Sequence, residues 1–237
     1  VIIPWNYFCH YGDTTLLREH YQGMKHWVEY LQTRTDDKGI VVREEPNGWC
    51  LGEWSTPHNR IEIPASLVNT AYFYHVTCIM ADVAGILDKK EDEHHLHTLA
   101  ETIRKNFNAA FYNDVTHHYW EGKQGADVFA LAFGLVLEGK QEKVFSALLE
   151  HLKKVNYHFD TGILATPLLL KVLTENGRAD LAYKLMNQRD FPSYGYLADK
   201  KNNTLWETWN GDGNDEGCGH CHPMFGSCLL YTSPSPR

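Results

Sequence analysis

Residues 64–87 read PASLVNTAYFYHVTCIMADVAGIL, a run that is apolar at most positions. Pro64 suits the first position of a helix, where its missing N–H has no partner to lose. The apolar residues that follow lie nearly all round such a helix: Leu67, Val68, Ala71, Tyr72, Val76, Ile79, Met80 and Val83. A helix that is apolar on every side has to be covered by neighbours. We therefore expect a helix from about Leu67 to Leu87, buried between other helices.

The segments on both sides of this run predict further helices. Asp13 suits an N-cap, and one apolar stripe then runs to about Leu31 through Leu17, Tyr21, Met24, Val28 and Leu31. A second amphipathic helix is expected at about 91–112, with an apolar face of Leu96, Leu99, Ile103, Phe107 and Phe111. Glycine-containing breaks separate the helices expected at about 126–138, 141–155, 164–175 and 178–188.

This pattern predicts an all-α fold built from antiparallel helical hairpins. No run alternates at period two over a length that would build a sheet, although short strands are possible near 40–43 and 118–120. Helices that are apolar all round, mixed with amphipathic ones, suit the inner and outer layers of a ring of hairpins. A helical solenoid is the structural alternative, but the sequence shows no repeat of fixed period.

The composition indicates one acidic globular domain. A chain of 237 residues with 43% apolar residues can build one sizeable core. The net charge of −8 and the lack of any Lys/Arg run argue against a nucleic-acid surface. No segment approaches the roughly 20 apolar residues of a membrane helix. We expect a soluble domain with a small-molecule partner.

The six cysteines do not suggest a disulfide framework in a chain of this size, and we expect most of them to be reduced. Cys218, His220, Cys221 and His222 stand too close together for the spaced ligand pairs of a structural zinc site. We predict no metal and no cofactor. Residues 229–237 change abruptly to Ser/Pro-rich sequence and are expected to be a non-native tail, which leaves 1–228 as the domain.

One segment, TLWETWNGDGNDEGCGHCHPMFG at 204–226, is difficult to explain as scaffold. Glu207 stands between Trp206 and Trp209, ahead of a glycine- and acid-rich loop. Loops on a rigid scaffold often carry chemistry, and indoles around a carboxylate can desolvate it. The alternative is an interfacial glutamate beside two half-buried core tryptophans. The connection 35–63 is a second candidate, because its centre, GWCLGEW at 48–54, is too aromatic for disorder.

Several motifs, taken in order, resemble the catalytic domain of bacterial α-L-rhamnosidases. The resemblance runs from near residue 1 to about 227. Its motifs are Trp5 with HYGD at 10–13, GEW at 52–54, VNTAYFY at 68–74, FPSYGY at 191–196, TLWETW at 204–209 and HCHPMFG at 220–226.

The resemblance implies an (α/α)6 barrel of six helical hairpins, incomplete at the N-terminus here, with the site at one end. It also implies inverting hydrolysis that releases a terminal L-rhamnose, with Glu207 as the general base. Trp54, Trp206 and Trp209 are expected as walls, because indole rings pack on the C–H faces of a deoxysugar. Trp49 and His222 are also expected to bind substrate. Glu53 replaces the usual aspartate of the family and is expected to contact a sugar hydroxyl.

The family places its general acid in a motif ending in Gly-Trp-Thr-Gly-Asp, which nothing in this chain matches. We expect the acid to lie upstream of Val1, in a segment of the same enzyme, and the chain to be inactive alone. The expected partner is a rhamnose-containing glycoside or polysaccharide. Two alternatives remain: another α/α-barrel carbohydrate enzyme, such as a lyase, and a helical sugar-binding module without chemistry. The bacterial compartment, cytoplasmic or periplasmic/secreted, stays open.

Overall fold

The computed structural model describes residues 1–42, 52–57, 63–200, 204–210 and 219–222. Within these ranges the chain forms helices and two isolated antiparallel bridges, Thr35 with Val41 and Tyr112 with Tyr119, and no strand. The helices are α1 (Ile2–Tyr11), α2 (Thr15–Gln32), α3 (Ala65–Ile86), α4 (Lys90–Phe111), α5 (Gln124–Phe133), α6 (Gln141–Lys154), α7 (Ala165–Glu175), α8 (Ala179–Met186) and α9 (Tyr194–Asp199). The predicted all-α class is confirmed. The predicted tail, 229–237, lies outside the described residues.

The described chain falls into two compact units. The first comprises Val1–Cys50 and Ala65–Phe111, and α3 packs against α1, α2 and α4 within it. All five stripe residues predicted for α2 are buried, and α3 is buried on several sides, as its all-round apolar sequence predicts. Tyr21 Oη and Lys25 Nζ of α2 both donate to the Asp92 carboxylate of α4, at 2.8 and 2.6 Å. Lys25 and then Tyr21 hold the pKa of Asp92 below its usual value.

The second unit comprises Leu51–Pro64 and Tyr112–Arg237 and contains α5 to α9. Helix α5 packs against α6 and α7, and α7 packs against α8. The side chain of Gln124, fully buried at the start of α5, donates through Nε2 to the His158 carbonyl (2.8 Å) and accepts from Asp160 N (3.2 Å). Asp160 also contacts His151 Nε2 at 2.6 Å. These bonds fix the segment that leads into α7, which the site uses.

The described helices differ from the predicted ones mainly at their ends. Helix α5 ends at Phe133 rather than near 138, because Gly134 takes a left-handed conformation (φ 74°) and closes the helix. Leu135 and Val136 are still buried, so the apolar pattern continues past the helix itself. Helices α1 and α9 were not predicted. The short strands expected near 40–43 and 118–120 do not form within the described residues. Each region contributes one residue, Val41 or Tyr119, to an isolated bridge.

None of the helices in the described ranges is both long and apolar enough to cross a membrane.

Candidate functional site

Two short segments of the second unit, 204–207 and 219–222, lie side by side and carry the candidate site. Glu207 N donates to the Gly219 carbonyl at 2.9 Å, and His222 N donates to the Leu205 carbonyl at 2.8 Å. The Thr204 hydroxyl donates to the His220 carbonyl. The ring of His220 stacks on Trp206, with centroids 4.2 Å apart and planes 14° apart. The backbone therefore holds the Trp-Glu segment and the His-Cys-His segment together.

Among the residues that the structure describes, the Glu207 carboxylate accepts one hydrogen bond on each oxygen. Trp54 Nε1 donates to Oε1 at 3.1 Å, and Gly219 N donates to Oε2 at 2.7 Å. Glu207 is half-buried. These two donors fix the orientation of the carboxylate, and a carboxylate oxygen can accept more than one hydrogen bond. The arrangement is a fixed, partly accessible carboxylate that can accept a proton.

Position 219 favours glycine because the Glu207 carboxylate lies close to it. A Cβ at this position would lie 3.1 Å from Glu207 Oε2 and 3.7 Å from His222 Cδ2. A side chain here would push the carboxylate away from the backbone N–H that binds it. Gly219 was not among the residues predicted from the sequence, although its position beside the His-Cys-His motif is a signal for it.

Trp54 reaches Glu207 from a segment that is held against the start of α7. Its side chain is 40% exposed, and its carbonyl accepts from Ile163 N at 3.0 Å. Gly162 makes this approach possible, since a Cβ there would lie only 1.9 Å from the Trp54 carbonyl oxygen. Trp54 and Glu207, which the sequence analysis assigned to one site, are in direct contact. Gly162, like Gly219, was missed by the sequence analysis.

Glu53 is buried, with 4% of its surface exposed, at the N-terminus of α7. Its Oε1 accepts from Ala165 N at 3.1 Å, and the backbone of Gly162 and Leu164 also bonds to the carboxyl. Its Oε2 is buried and has no hydrogen-bond partner among the described residues. Burial, with a smaller contribution from the nearby negative charge of Asp160, raises the pKa of Glu53 to about 8, although the backbone hydrogen bonds lower it. Near neutral pH this carboxyl is therefore largely protonated.

Trp209 lies in the core of the second unit. It is 1% exposed, stacks on Phe159 (centroids 5.1 Å apart) and meets the edge of Tyr194 at 5.3 Å. Its Nε1 donates to the Thr161 carbonyl at 3.0 Å. The alternative of a glutamate beside two half-buried core tryptophans therefore describes the flanking residues only in part: Trp209 is a core residue, whereas Trp206 is half-buried and stacks on His220. A direct sugar contact by Trp209 stays a prediction, and its position favours support of the 204–210 segment.

The structure describes only some of the remaining predicted site residues. His222 Nδ1 is buried and lacks a hydrogen-bond partner among the described residues, so its predicted contact with a carboxylate or sugar stays a prediction. Trp49 and Cys218 lie outside the described residues. In the ranges that are described, no three His, Cys, Asp or Glu side chains are grouped to hold a metal ion. The prediction against zinc is not tested by this, because Cys218 belongs to the cluster in question.

Comparison with known proteins gives consistent matches along the chain. Residues 1–232 match the profile of the bacterial α-L-rhamnosidase 6 hairpin glycosidase domain. An α-L-rhamnosidase of Formosa agariphila is 34% identical over 216 residues, which is 91% of this chain and 23% of that protein. One of Streptomyces avermitilis is 33% identical over 222 residues, covering 92% of this chain and 20% of that protein.

Solved structures agree with these relatives. The α-L-rhamnosidase from Dictyoglumus thermophilum superposes with a TM-score of 0.87 at 33% identity, over 97% of this chain and 26% of its own. The Streptomyces avermitilis α-L-rhamnosidase, complexed with L-rhamnose, gives 0.85 at 30% identity, over 98% of this chain and 22% of its own. The predicted six-hairpin, all-α barrel fold is confirmed. The chain spans only 20–26% of the length of these four relatives.

Proposed function

The chain belongs to the family of bacterial α-L-rhamnosidase six-hairpin glycosidase domains, and we propose that it is part of a longer enzyme that hydrolyses terminal α-L-rhamnosyl residues from glycosides. The observation that carries the proposal is the Glu207 carboxylate, held by Trp54 Nε1 and Gly219 N in a half-buried setting. The proposed substrate is a rhamnose-containing glycoside or polysaccharide.

Glu207 is the general base of the proposed reaction. It takes a proton from a water molecule, which attacks the anomeric carbon on the face opposite the leaving group and inverts its configuration. A base has to be ionised before the reaction and open to water. Two N–H donors hold the carboxylate in a fixed orientation, and the partial exposure of Glu207 leaves a path for the water.

The proton donor of the proposed reaction is a second carboxyl, which in an inverting enzyme stands about 6.5–9.5 Å from the base. We propose that it is supplied by a part of the enzyme outside this chain, because nothing in residues 1–237 matches the acid motif of the family. Glu53 is a poor substitute, since a donor has to reach the glycosidic oxygen and Glu53 is 4% exposed.

The sugar is proposed to lie against the indoles of Trp54 and Trp206, with His222 supplying a polar contact. Trp54 is well exposed and bonded to the base, so a sugar that meets Glu207 also meets this ring. A deoxysugar presents C–H faces and a methyl group, which pack favourably on aromatic rings.

The test is replacement of Glu207 by glutamine in the full-length enzyme, assayed on an aryl α-L-rhamnoside. We expect kcat to fall about 10²–10⁴-fold, the usual contribution of general base catalysis, with a smaller change in KM. Glu150→Gln is the matched control, because Glu150 is an exposed carboxylate on α6 that forms an ion pair with Lys153. A wild-type kcat in Glu207→Gln would refute the base assignment. Rhamnoside binding without turnover in the wild-type enzyme would indicate a binding module instead.

A further inference from the structure

The buried carboxyl of Glu53 has no role in the proposed hydrolysis, yet it is one of the most constrained groups near the site. Its Oε1 is occupied by the backbone N–H groups that open α7, led by Ala165 N at 3.1 Å. The N-terminus of a helix is favourable for such an acceptor, because its first N–H groups lack partners within the helix. Glu53 thus ties its own segment to the start of α7.

Trp54, the next residue in the chain, is also bound to the start of α7, through its backbone. The Trp54 carbonyl accepts from Ile163 N at 3.0 Å, and the absence of a side chain at Gly162 allows the close approach. Two consecutive residues, Glu53 and Trp54, are therefore hydrogen-bonded to residues 162–165. Glu53 uses its side chain and Trp54 uses its main chain.

The side chain of Trp54 then points its Nε1 at Glu207 Oε1, 3.1 Å away. We infer that Glu53 is a positioning residue, which anchors the 52–57 segment to the start of α7 so that the Trp54 N–H stays on the base. The inference rests on the proposed role of Glu207. It assigns to Glu53 neither the sugar contact predicted from the sequence nor the donation of a proton to the leaving group.

The burial of Glu53 supports this role over the other two. A sugar ligand or proton donor has to present an oxygen to the substrate, whereas Oε1 is used by the backbone and Oε2 is buried. Anchoring requires only an acceptor at Oε1, which a protonated carboxyl supplies through its carbonyl oxygen. The raised pKa of Glu53 agrees with a neutral anchor. Because the amide of glutamine has the same shape and the same acceptor, glutamine can replace a neutral anchor.

The experiment compares Glu53→Gln with Glu53→Met in the full-length enzyme on an aryl α-L-rhamnoside. Glutamine keeps an acceptor for Ala165 N, and we expect kcat within about threefold of wild type. Methionine fills a similar volume without an acceptor at that point. We expect its kcat to fall about 10- to 100-fold with little change in KM, the scale expected when a reacting group is misplaced by about 1 Å. Thermal unfolding of both variants measures the folded fraction.

Two further measurements separate positioning from a merely structural role. If Glu53 acts through Trp54, Glu53→Met should lower kcat little further in a Trp54→Phe background. In enzyme labelled with 5-fluorotryptophan, the ¹⁹F resonance of Trp54, assigned by its loss in Trp54→Phe, should move in Glu53→Met and stay in place in Glu53→Gln. The ¹⁹F measurement needs no activity, so it also applies if the base assignment fails in Glu207→Gln.

Several results would overturn the inference. Loss of kcat in Glu53→Gln that is recovered on substrates with better leaving groups would make Glu53 the proton donor. A raised KM with normal kcat in both variants would make it a sugar ligand. Additive losses in the double variant, or an unmoved Trp54 resonance in Glu53→Met, would also contradict positioning. If Glu53→Met does not fold, Glu53→Gln decides alone: wild-type kcat and an unmoved resonance support the role, and loss of either overturns it.

Discussion

Trp54 Nε1 and Glu207 Oε1 are hydrogen-bonded at 3.1 Å, although the two residues stand 153 positions apart in the chain. The bond joins the two aromatic segments of the sequence, one in the long connection before α3 and one after α9. It also links the proposed base to the start of α7. The Trp54 carbonyl and the Glu53 side chain are both hydrogen-bonded to the backbone there. The orientation of one carboxylate therefore depends on three separate parts of the second unit.

Replacement of Trp54 by phenylalanine should weaken the proposed base without removing the aromatic surface. We expect kcat to fall about 10- to 100-fold, since a hydrogen bond to a charged group is worth about 1.5–3 kcal/mol. The measurement is kcat and KM of the full-length enzyme on an aryl α-L-rhamnoside.

Trp27→Phe is the matched control for this change. Trp27 is a similarly exposed tryptophan (44%) on α2 of the first unit, where it stacks on Tyr30. Its replacement should leave kcat unchanged. A wild-type kcat in Trp54→Phe would show that the Trp54 N–H does not act on the base.

The helices were predictable where a buried stripe marks them, and less so elsewhere. The five-residue stripe of α2 located that helix closely. Helix α1 has no buried residue in the described structure, so no stripe marks it, and Pro4 in its first turn hides it further. Helix α9 has only six residues, too few for a period to show. The apolar pattern continued past the end of α5 to residues 135–136, because those residues are buried although they are not helical.

The site was predictable in its residues but less so in its geometry. The resemblance identified Glu207 and Trp54 from local motifs, and their contact follows if both serve one sugar. The roles of Gly162 and Gly219 depend instead on close approaches across the fold, at 1.9 Å and 3.1 Å for an added Cβ. The burial of Glu53 likewise depends on where α7 begins. A sequence motif or an apolar period contains neither the close approaches at these glycines nor the position at which α7 begins.

Replacement of Gly219 by alanine should disturb Glu207 directly. The new Cβ would lie 3.1 Å from Oε2, closer than an ordinary contact, so the carboxylate has to move away from its backbone donor. We expect kcat to fall by up to about 10-fold, less than for a misplacement of about 1 Å, because a shift of a few tenths of an ångström relieves the contact. Steady-state kinetics on an aryl α-L-rhamnoside would measure it.

Gly23→Ala is the control for this substitution. Gly23 lies within α2, and an added Cβ there meets nothing within 4 Å. Alanine should keep full activity and stabilise the helix by about 0.5–1 kcal/mol. If Gly219→Ala keeps wild-type kcat, the Gly219 N–H is not needed to hold the base.

The stability of the enzyme should depend on pH through Glu53. Its pKa is about 8 in the folded protein and near the ordinary 4.5 in the unfolded chain, so the folded state binds the proton more tightly. The stabilisation is fully present below about pH 4.5 and is lost as the pH rises toward 8. Between these values the free energy of unfolding should fall by at most about 1.4 kcal/mol per pH unit from this group.

Glu53→Gln isolates this effect because every other titrating group is shared with the wild type. We expect the unfolding temperature of the wild type to fall relative to that of Glu53→Gln as the pH is raised from 5 to 8, measured by thermal unfolding of the full-length proteins. A temperature difference that is constant across this range would mean that Glu53 is already ionised at pH 5 in the folded as well as the unfolded protein, and would contradict the raised pKa.

The 237-residue chain alone should not hydrolyse α-L-rhamnosides at a useful rate. The proposed mechanism divides the work between two carboxyls, and this chain supplies Glu207 but no match to the acid motif. Glu53 is protonated near neutral pH but buried, with its accepting oxygen bound to the start of α7, so it cannot reach a glycosidic oxygen in this arrangement. The test compares kcat/KM of the chain and of the full-length enzyme on an aryl α-L-rhamnoside, with circular dichroism to establish that the chain is helical. Comparable values would place the proton donor within residues 1–237 and would refute the assignment of roles proposed for Glu207 and Glu53.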